Sequence, residues 1–466
     1  MTAYAEAWQR VAQVSEADAV VNTLGVHRPS GLAPALRRRP APLAHMRSEA
    51  SSSREIVLGG VPLLILLGSL LFAAGAFAAP DEEALGKAEG YPICPRAQIE
   101  TRCLVGLVSR YDEVFPARKV AKGAAARPLK YAAVEPAIRY THQSRSSGLE
   151  DYLSRNRATA LLILKGDTVL AERYQYDRKP EQRMTSYSMA KTIVGMLVGV
   201  ALSEGKIKSL DDRAEKYVPA LTGTPYGETP LRHLLTMSSG VRFTEIYSDS
   251  DDMATLLRLS LRGESAGGAA TVMPFRTRDR APGERFRYSS AESQVLGLVL
   301  RAATGTPLAE YLSHKIWQPM GAEAAASWII DKGGYEVAYI GVNATVRDYA
   351  RLGMLLANDG SLGGRPIIPV GWVRKATTPA AKPFEPGRTG SFFGYGYQTW
   401  ILPGQERQFV MQGLRGQAVF VDPKSKLVMV HTAARDIGDA GTEMMPLWFG
   451  VLQSLGQTSV APPHNP

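Results

Sequence analysis

The sequence predicts an α+β fold in which an antiparallel sheet is flanked by helices and carries an inserted, mainly helical region. Three observations support this: a strand hairpin near each end of residues 151–466, a series of apolar or amphipathic helical segments between them, and no repeat or low-complexity stretch to interrupt the order. Hydrophobic residues at 45% against 21% charged are enough to bury a substantial core, which excludes a disordered, collagenous or coiled-coil chain.

The first hairpin is ALLIL (160–164) and TVLAERY (168–174) around Lys165-Gly166-Asp167, two β-rich runs flanking a turn signal. Residues 188–203, SMAKTIVGMLVGVALS, read as a helix that stops before Glu204-Gly205. Segments 290–304 and 306–317 continue the helical character, and 346–357 is amphipathic. The second hairpin pairs 417–421 with 427–431 across Asp422-Pro423-Lys424-Ser425-Lys426. Residues 80–150, a mixture of Pro, Gly, Ala and scattered charge, are expected to form an irregular extension wrapped over this body.

Residues 56–79 carry no charge and follow Arg37, Arg38, Arg39, Arg47 and Arg54, a membrane-directed pattern. Ala76-Phe77-Ala78 resembles a signal-cleavage site, and the run is also long enough to stay as a transmembrane helix. Residues 46–79 are therefore expected to be a signal peptide or an anchor. The protein is expected to be exported, periplasmic or secreted, or else held at the inner membrane through 56–79 with its catalytic part outside. Residues 1–45 read as a flexible tail or a misassigned upstream start, because Met46 with Arg47 and Arg54 would open a shorter leader.

In an oxidising compartment Cys94 and Cys103 would favour a local bridge; two cysteines build neither a disulfide scaffold nor a four-cysteine zinc site. The net charge of +10 is spread out, with no long Lys/Arg run, so nucleic acid is not an expected partner. No H-E-x-x-H sequence is present, and the seven histidines are scattered, so no metal or cofactor is implied.

The chemistry starts at Ser188-Met189-Ala190-Lys191. Residues three apart share a helix face, so the hydroxyl and the amine can meet. A neutral amine can take the serine proton if burial depresses the lysine pKa, and the helix N-terminus offers N–H groups to developing negative charge. Taken alone, S-x-x-K is more readily a capping serine with a solvent-facing lysine; the apolar run TIVGMLVGVAL after it favours burial. The second element is Tyr288-Ser289-Ser290, with the Tyr288 hydroxyl relaying or accepting a proton near Ser188 and Ser290 binding the lysine or the substrate. Trp372, Tyr397 and Trp400 are candidates for an aromatic acyl wall, with core packing as the alternative. Asp211, Asp212 and His233 are expected to support the fold.

Ser188-x-x-Lys191, HLLTMSSG (233–240), APGERFRYSS (281–290) and the terminal hairpin together resemble the serine beta-lactamase and penicillin-binding fold superfamily, most of all its esterase and 6-aminohexanoate-dimer hydrolase-like branch, over roughly residues 150–455. The resemblance implies a beta-lactamase-like serine hydrolase fold, with Ser188 as acylated nucleophile, Lys191 as its base partner and Tyr288 as proton donor to the leaving group. The usual Lys-Thr-Gly signature is absent, and Gln412-Gly413-Leu414-Arg415-Gly416-Gln417 resembles the branch's G-x-x-G-Q variant. It implies an oxyanion hole from the N–H groups of Ser188 and Leu414, with Gly413, Arg415 and Gln417 beside the substrate and Arg415 facing either solvent or the cleft. The implied reaction is two-step acyl transfer to water on small esters or amides, short oligoamides included. Two alternatives remain: a cell-wall D-alanyl peptidase or beta-lactamase, weakened by the missing Lys-Thr-Gly, and a non-catalytic exported binding or scaffold protein. The physiological substrate and the oligomeric state stay open.

Overall fold

The computed structural model describes residues 79–95, 99–439 and 441–455. The elements that position the site are, in chain order, helix α1 (Leu104–Ser109), strands β1 (Ala117–Val120), β2 (Lys130–Tyr131), β3 (Ala158–Lys165), β4 (Thr168–Tyr174) and β5 (Met184–Thr185), and helices α2 (Met189–Ser203), α3 (Asp252–Ser260) and α4 (Ser290–Thr304). Strands β6 (Ala326–Ile329) and β7 (Val342–Ala344), helix α5 (Val346–Ala357), strands β8 (Gly394–Tyr395), β9 (Trp400–Ile401), β10 (Phe409–Gly413), β11 (Gln417–Asp422) and β12 (Leu427–Ala433), and helix α6 (Met444–Ser454) follow.

The main sheet runs β8-β9-β10-β11-β12-β3-β4-β2, and only its edge strand β2 is parallel to its neighbour. The two expected hairpins lie side by side: β12 pairs with β3 from Leu427↔Lys165 to Ala433↔Ala158. Side chains alternate across a strand. Ala160, Leu162 and Leu164 therefore join Val419, Val421, Val428 and Val430 in one core, while Leu161 and Ile163 join Ala418, Phe420, Met429 and Trp448 of α6 in the other. Burial on both faces is why ALLIL reads as a continuous apolar run with no polar alternation.

Helix α2 is apolar on every side because it is covered on every side; Met189 to Ala201 are all buried. Two glycines allow the close approach. A Cβ on Gly199 would lie 2.3 Å from the Trp372 ring, and one on Gly195 would lie 2.7 Å from the Tyr397 carbonyl oxygen. Trp372 Nε1 donates to the Gly195 carbonyl at 3.0 Å. A smaller sheet, β1-β6-β7-β5, delivers the chain to the start of α2. Just after β5, the Ser186 N–H donates to the Val342 carbonyl at 2.7 Å, and the Val342 N–H donates back to Ser186 Oγ at 3.0 Å. The chain is thus clamped two residues before Ser188.

Two segments differ from expectation. Residues 306–317 form a short helix, Leu308–Leu312, followed by one wide π-type turn, Ser313–Trp317, because Ser313 Oγ is drawn to the Ala121 carbonyl and Trp317 Nε1 to the Ala324 carbonyl. Residues 80–150 are more regular than their composition suggests: they supply α1, add β1 to the small sheet and add β2 to the main one.

The expectation of a transmembrane helix, and with it membrane contact and an inner-membrane anchor, is not met: among the described residues no helix is long and apolar enough to cross a membrane. Even the uniformly apolar α2 has 15 residues, short of the ~20 that a span requires. Residues 56–78, on which the export reading also rested, lie outside the described residues, as do residues 1–45.

Gly199→Ala is expected to destabilise the fold by about 1–3 kcal/mol through overpacking against Trp372. That outweighs the gain of ~1 kcal/mol that alanine brings to a helix interior. Urea denaturation checks the sign, and a variant as stable as the parent would show that the Trp372 contact is not close.

Candidate active site

Ser188 sits at the N-cap of α2, directly after Tyr187, whose φ of 41° is left-handed for a non-glycine residue. One turn in, Lys191 Nζ lies 2.8 Å from Ser188 Oγ and 3.1 Å from the Tyr339 carbonyl oxygen. Neither partner is a carboxylate, and the side chain is 1% exposed. Burial without a directly bonded counter-charge lowers the amine pKa to about 8, while the more distant Glu245 carboxylate pulls it upward.

Tyr288 completes the group. Its ring lies 5.0 Å beneath Lys191 Nζ and stacks on Trp400 at 5.3 Å. Burial, reinforced by Glu245, holds the phenol well above its ordinary pKa, so it keeps its proton and can donate it. Trp400 belongs to an aromatic cluster with Phe286 and Tyr395, which fixes the plane in which Tyr288 lies.

Ser290 does not reach the lysine. Its N–H and Oγ donate to Glu245 at 2.8 and 2.9 Å, and the Tyr247 hydroxyl donates to the same carboxylate at 3.1 Å. Glu245 thereby occupies the N-terminus of α4, where a negative charge is favoured, and tunes Lys191 from a distance. Sequence reasoning missed Glu245, a single carboxylate in a loop with no motif around it.

At the sheet edge, Gly413 has φ −131°, so its role is close approach and not a special backbone angle. A Cβ there would lie 2.3 Å from the Ser186 carbonyl oxygen. The missing side chain lets the end of β10 lie against the turn into α2 and brings Leu414 and Ser188 to one cavity wall. Among the described residues, no backbone carbonyl takes the N–H of either. Arg415 follows in a left-handed conformation, φ 61°; it is buried, lines the cavity, and donates from Nη1 to the Arg435 carbonyl at 2.7 Å.

Gln417 is not a cavity residue. Its amide nitrogen donates to the Ala433 and Arg415 carbonyls at 2.7 and 3.2 Å, tying the Leu414–Gly416 turn to β12. Beneath that turn, His431 Nδ1 donates to the Gly416 carbonyl at 2.6 Å and Nε2 accepts from the Tyr152 hydroxyl at 2.9 Å. Burial and nearby Arg435 push its pKa down to about 3, so the ring stays neutral. A lone histidine in an apolar strand gave no sequence signal for this support.

Tyr397 and Trp372 pack at a tilt, ring centres 5.4 Å apart, against the far side of α2 and form no acyl wall. Asp211 pairs with Arg232, Asp212 with Lys216, and His233 rests on Ser238, all as local supports. Ser239 of the HLLTMSSG segment donates to buried Glu292 at 2.6 Å, fastening that turn to α4. The cavity itself measures about 420 Å³, toward the small end of ligand sites. One side is closed by the joined cysteines Cys94 and Cys103, with Cα atoms 5.6 Å apart, and by α1.

The Beta-lactamase family pattern matches residues 149–446, which span the hairpins, α2, Tyr288 and the Leu414 turn. The chain belongs to the Beta-lactamase family. As a member it is a serine hydrolase of the type that acts on small esters and amides. It is 30% identical over 335 residues to the 6-aminohexanoate-dimer hydrolase of Paenarthrobacter ureafaciens, covering 70% of this chain and 84% of that one. A Bacillus anthracis structure assigned as a 6-aminohexanoate-dimer hydrolase superposes with TM-score 0.69 at 23% identity, covering 78% of this chain and 99% of its own. A Bacteroides dorei structure assigned as a beta-lactamase gives 0.51 at 20% identity, over 66% and 96%. These two likenesses show the shared fold.

Glu245→Gln is expected to move the Lys191-controlled limb of the acylation pH profile to lower pH, because the charge that raises the lysine pKa is removed. Stopped-flow acylation between pH 5 and 10 measures it; a limb that stays or moves upward would contradict the long-range coupling.

Proposed function

We infer that this Beta-lactamase family member hydrolyses small ester or amide bonds, short oligoamides among them, through an acyl-enzyme on Ser188. The observation that carries the reading is the 2.8 Å contact between Ser188 Oγ and a buried amine whose pKa is about 8, so that a substantial neutral fraction is present near neutral pH. Lys191 takes the proton as Ser188 Oγ attacks the carbonyl carbon. The oxyanion formed meets the N–H groups of Ser188 and Leu414, donors worth more to the tetrahedral state than to the ground-state carbonyl. The C–O or C–N bond then breaks. Tyr288 gives its proton to the departing alcohol or amine, and Lys191 restores the Tyr288 proton. In the second half a water molecule attacks the acyl carbon, its proton passing through the same pair and on to Ser188 Oγ as the acid leaves. Arg415, a cation on the cavity wall, favours substrates that carry a carboxylate. The oligoamide part of the reading is supported by the activity in the names of the P. ureafaciens and B. anthracis proteins.

Ser188→Ala is expected to cut turnover by on the order of 10³-fold or more while leaving the fold intact. In intact-protein mass spectrometry a fluorophosphonate should add to the wild type and not to the variant; equal ester hydrolysis by the two proteins would sink the assignment. Acylation by the wild type should rise with pH up to about 8 and level off above it, because only the neutral amine accepts the proton. A flat profile from pH 6 to 9 would remove Lys191 from the base role.

A further inference from the structure

Ser188 and Lys191 stand at the start of one helix, so the 2.8 Å between them is set within α2. Tyr288 is placed differently. It precedes α4 by two residues, so its position 5.0 Å from Lys191 Nζ depends on how α4 lies against α2. The two helices belong to one apolar core, and apolar contact is non-directional: it holds helices together without fixing how far one slides along the other. A directional link is needed, and Gln398 supplies it.

Thr192, the residue after Lys191, donates from Oγ1 to the Gln398 carbonyl oxygen at 2.8 Å. Ser293, on the same face of α4 as Ser290, donates from Oγ to Gln398 Oε1 at 2.5 Å. On a third side, the Gln398 N–H donates to the Leu235 carbonyl at 2.9 Å and Nε2 to the Leu234 carbonyl at 2.8 Å, both in the short helix Leu231–Leu235. Thr192, Ser293 and Gln398 are all buried. One residue thus has its backbone donor, its backbone acceptor and both ends of its amide engaged with three helices. A buried polar network satisfied to this degree specifies a single arrangement of the elements it joins. The backbone carries the same mark: Gln398 has φ 57°, a left-handed conformation that a non-glycine residue keeps only where its surroundings over-determine it. Gly195 of α2 makes the room, since a Cβ there would lie 3.1 Å from the Gln398 Cβ. Two residues further on, Trp400 stacks on the Tyr288 ring at 5.3 Å.

We infer that Gln398 is a positioning residue for the proton donor. Through Thr192 and Ser293 it fixes the offset of α4 on α2, and so holds Tyr288 where it can protonate the departing group. The inference rests on the reading of Tyr288 as that donor and deepens it: Gln398 acts through the two helices and not on the reacting atoms. Its consequence is selective. Attack by Ser188 with Lys191 as base is organised within α2 and survives a loosened tie, whereas departure of a group that must be protonated does not.

The test compares ethyl acetate with p-nitrophenyl acetate on the full chain. Both give the same acetyl-enzyme, but ethoxide needs the Tyr288 proton, whereas p-nitrophenolate leaves as an anion. Ser293→Ala and Thr192→Val each cut one tie with little change of shape. Because a positioned general acid contributes ~10²–10⁴-fold, each variant is expected to lower kcat/KM for ethyl acetate by on the order of 10-fold and for p-nitrophenyl acetate by less than ~3-fold. Thr192→Ser, which keeps the hydroxyl, should restore the ethyl acetate rate. Both esters falling together, or neither falling, overturns the inference. Tyr288→Phe tests the donor reading by itself and should also be selective for ethyl acetate. If it slows both esters alike, that reading fails separately, and crystal structures of the Ser293→Ala and Thr192→Val proteins decide the tie without turnover. A distance from Lys191 Nζ to the Tyr288 ring longer than the wild-type 5.0 Å supports the tie, and an unchanged distance rejects it.

Discussion

Burial of the Lys191 amine beside Ser188 without a bonded carboxylate is the constraint on which the rest of the structure depends. A lysine left in water would be charged at any working pH and useless as a base. With its pKa lowered to about 8, charging it costs about 3 kcal/mol more than in solvent. Keeping it dry requires α2 to be covered over its whole circumference, and the means are particular: glycines at 195 and 199 that admit Tyr397 and Trp372. The buried helix and these two close approaches serve one proton-transfer group.

The site is assembled from two structural layers that meet at a single close contact. One layer is the helix carrying Ser188 and Lys191, clamped through Ser186 to the small sheet. The other is the end of β10, which can press against that clamp only because residue 413 has no side chain. Once there, the Leu414–Gly416 turn is held from behind by Gln417, His431 and Tyr152, all hydrogen-bonded and all buried. Oxyanion donors must be aimed before the reaction begins, and a turn fixed at three points cannot swing away as charge develops.

The electrostatics are divided in the same way. Glu245 lies far enough from Lys191 to bias it without pairing with it, because its oxygens are already occupied by Ser290 and Tyr247. A direct salt bridge would have kept the lysine charged. Burial acts on Tyr288 in the opposite direction, toward its protonated form, and Glu245, which raises both groups, adds to it. One base that loses its proton readily and one acid that keeps it, the first bonded to the serine and the second packed against that base, are what two-step acyl transfer needs. Other walls of the cavity belong to distant parts of the chain, residues 99–115 and the region around α3.

Much of this could be read from the linear chain because it depends on local pattern. The bounds of 290–304 and 346–357, the two hairpins, and the facing of Ser188 and Lys191 follow from helical and strand periodicity and from one three-residue spacing. What the sequence left open or misplaced depends on what lies across a gap. Tyr397 and Gln417 are near the site in sequence, yet one packs behind α2 and the other faces the back of the turn. Glu245 and His431 carry no motif and become significant only when the fold brings them to α4 and to the Leu414 turn. The apolar run at 56–79 was read by composition alone, and no described helix supports a membrane span. Periodicity records which side of an element is buried. Which other element buries it, and at what distance, is fixed only by close packing, and that packing decided the lysine pKa, the orientation of Tyr288 and the shape of the cavity.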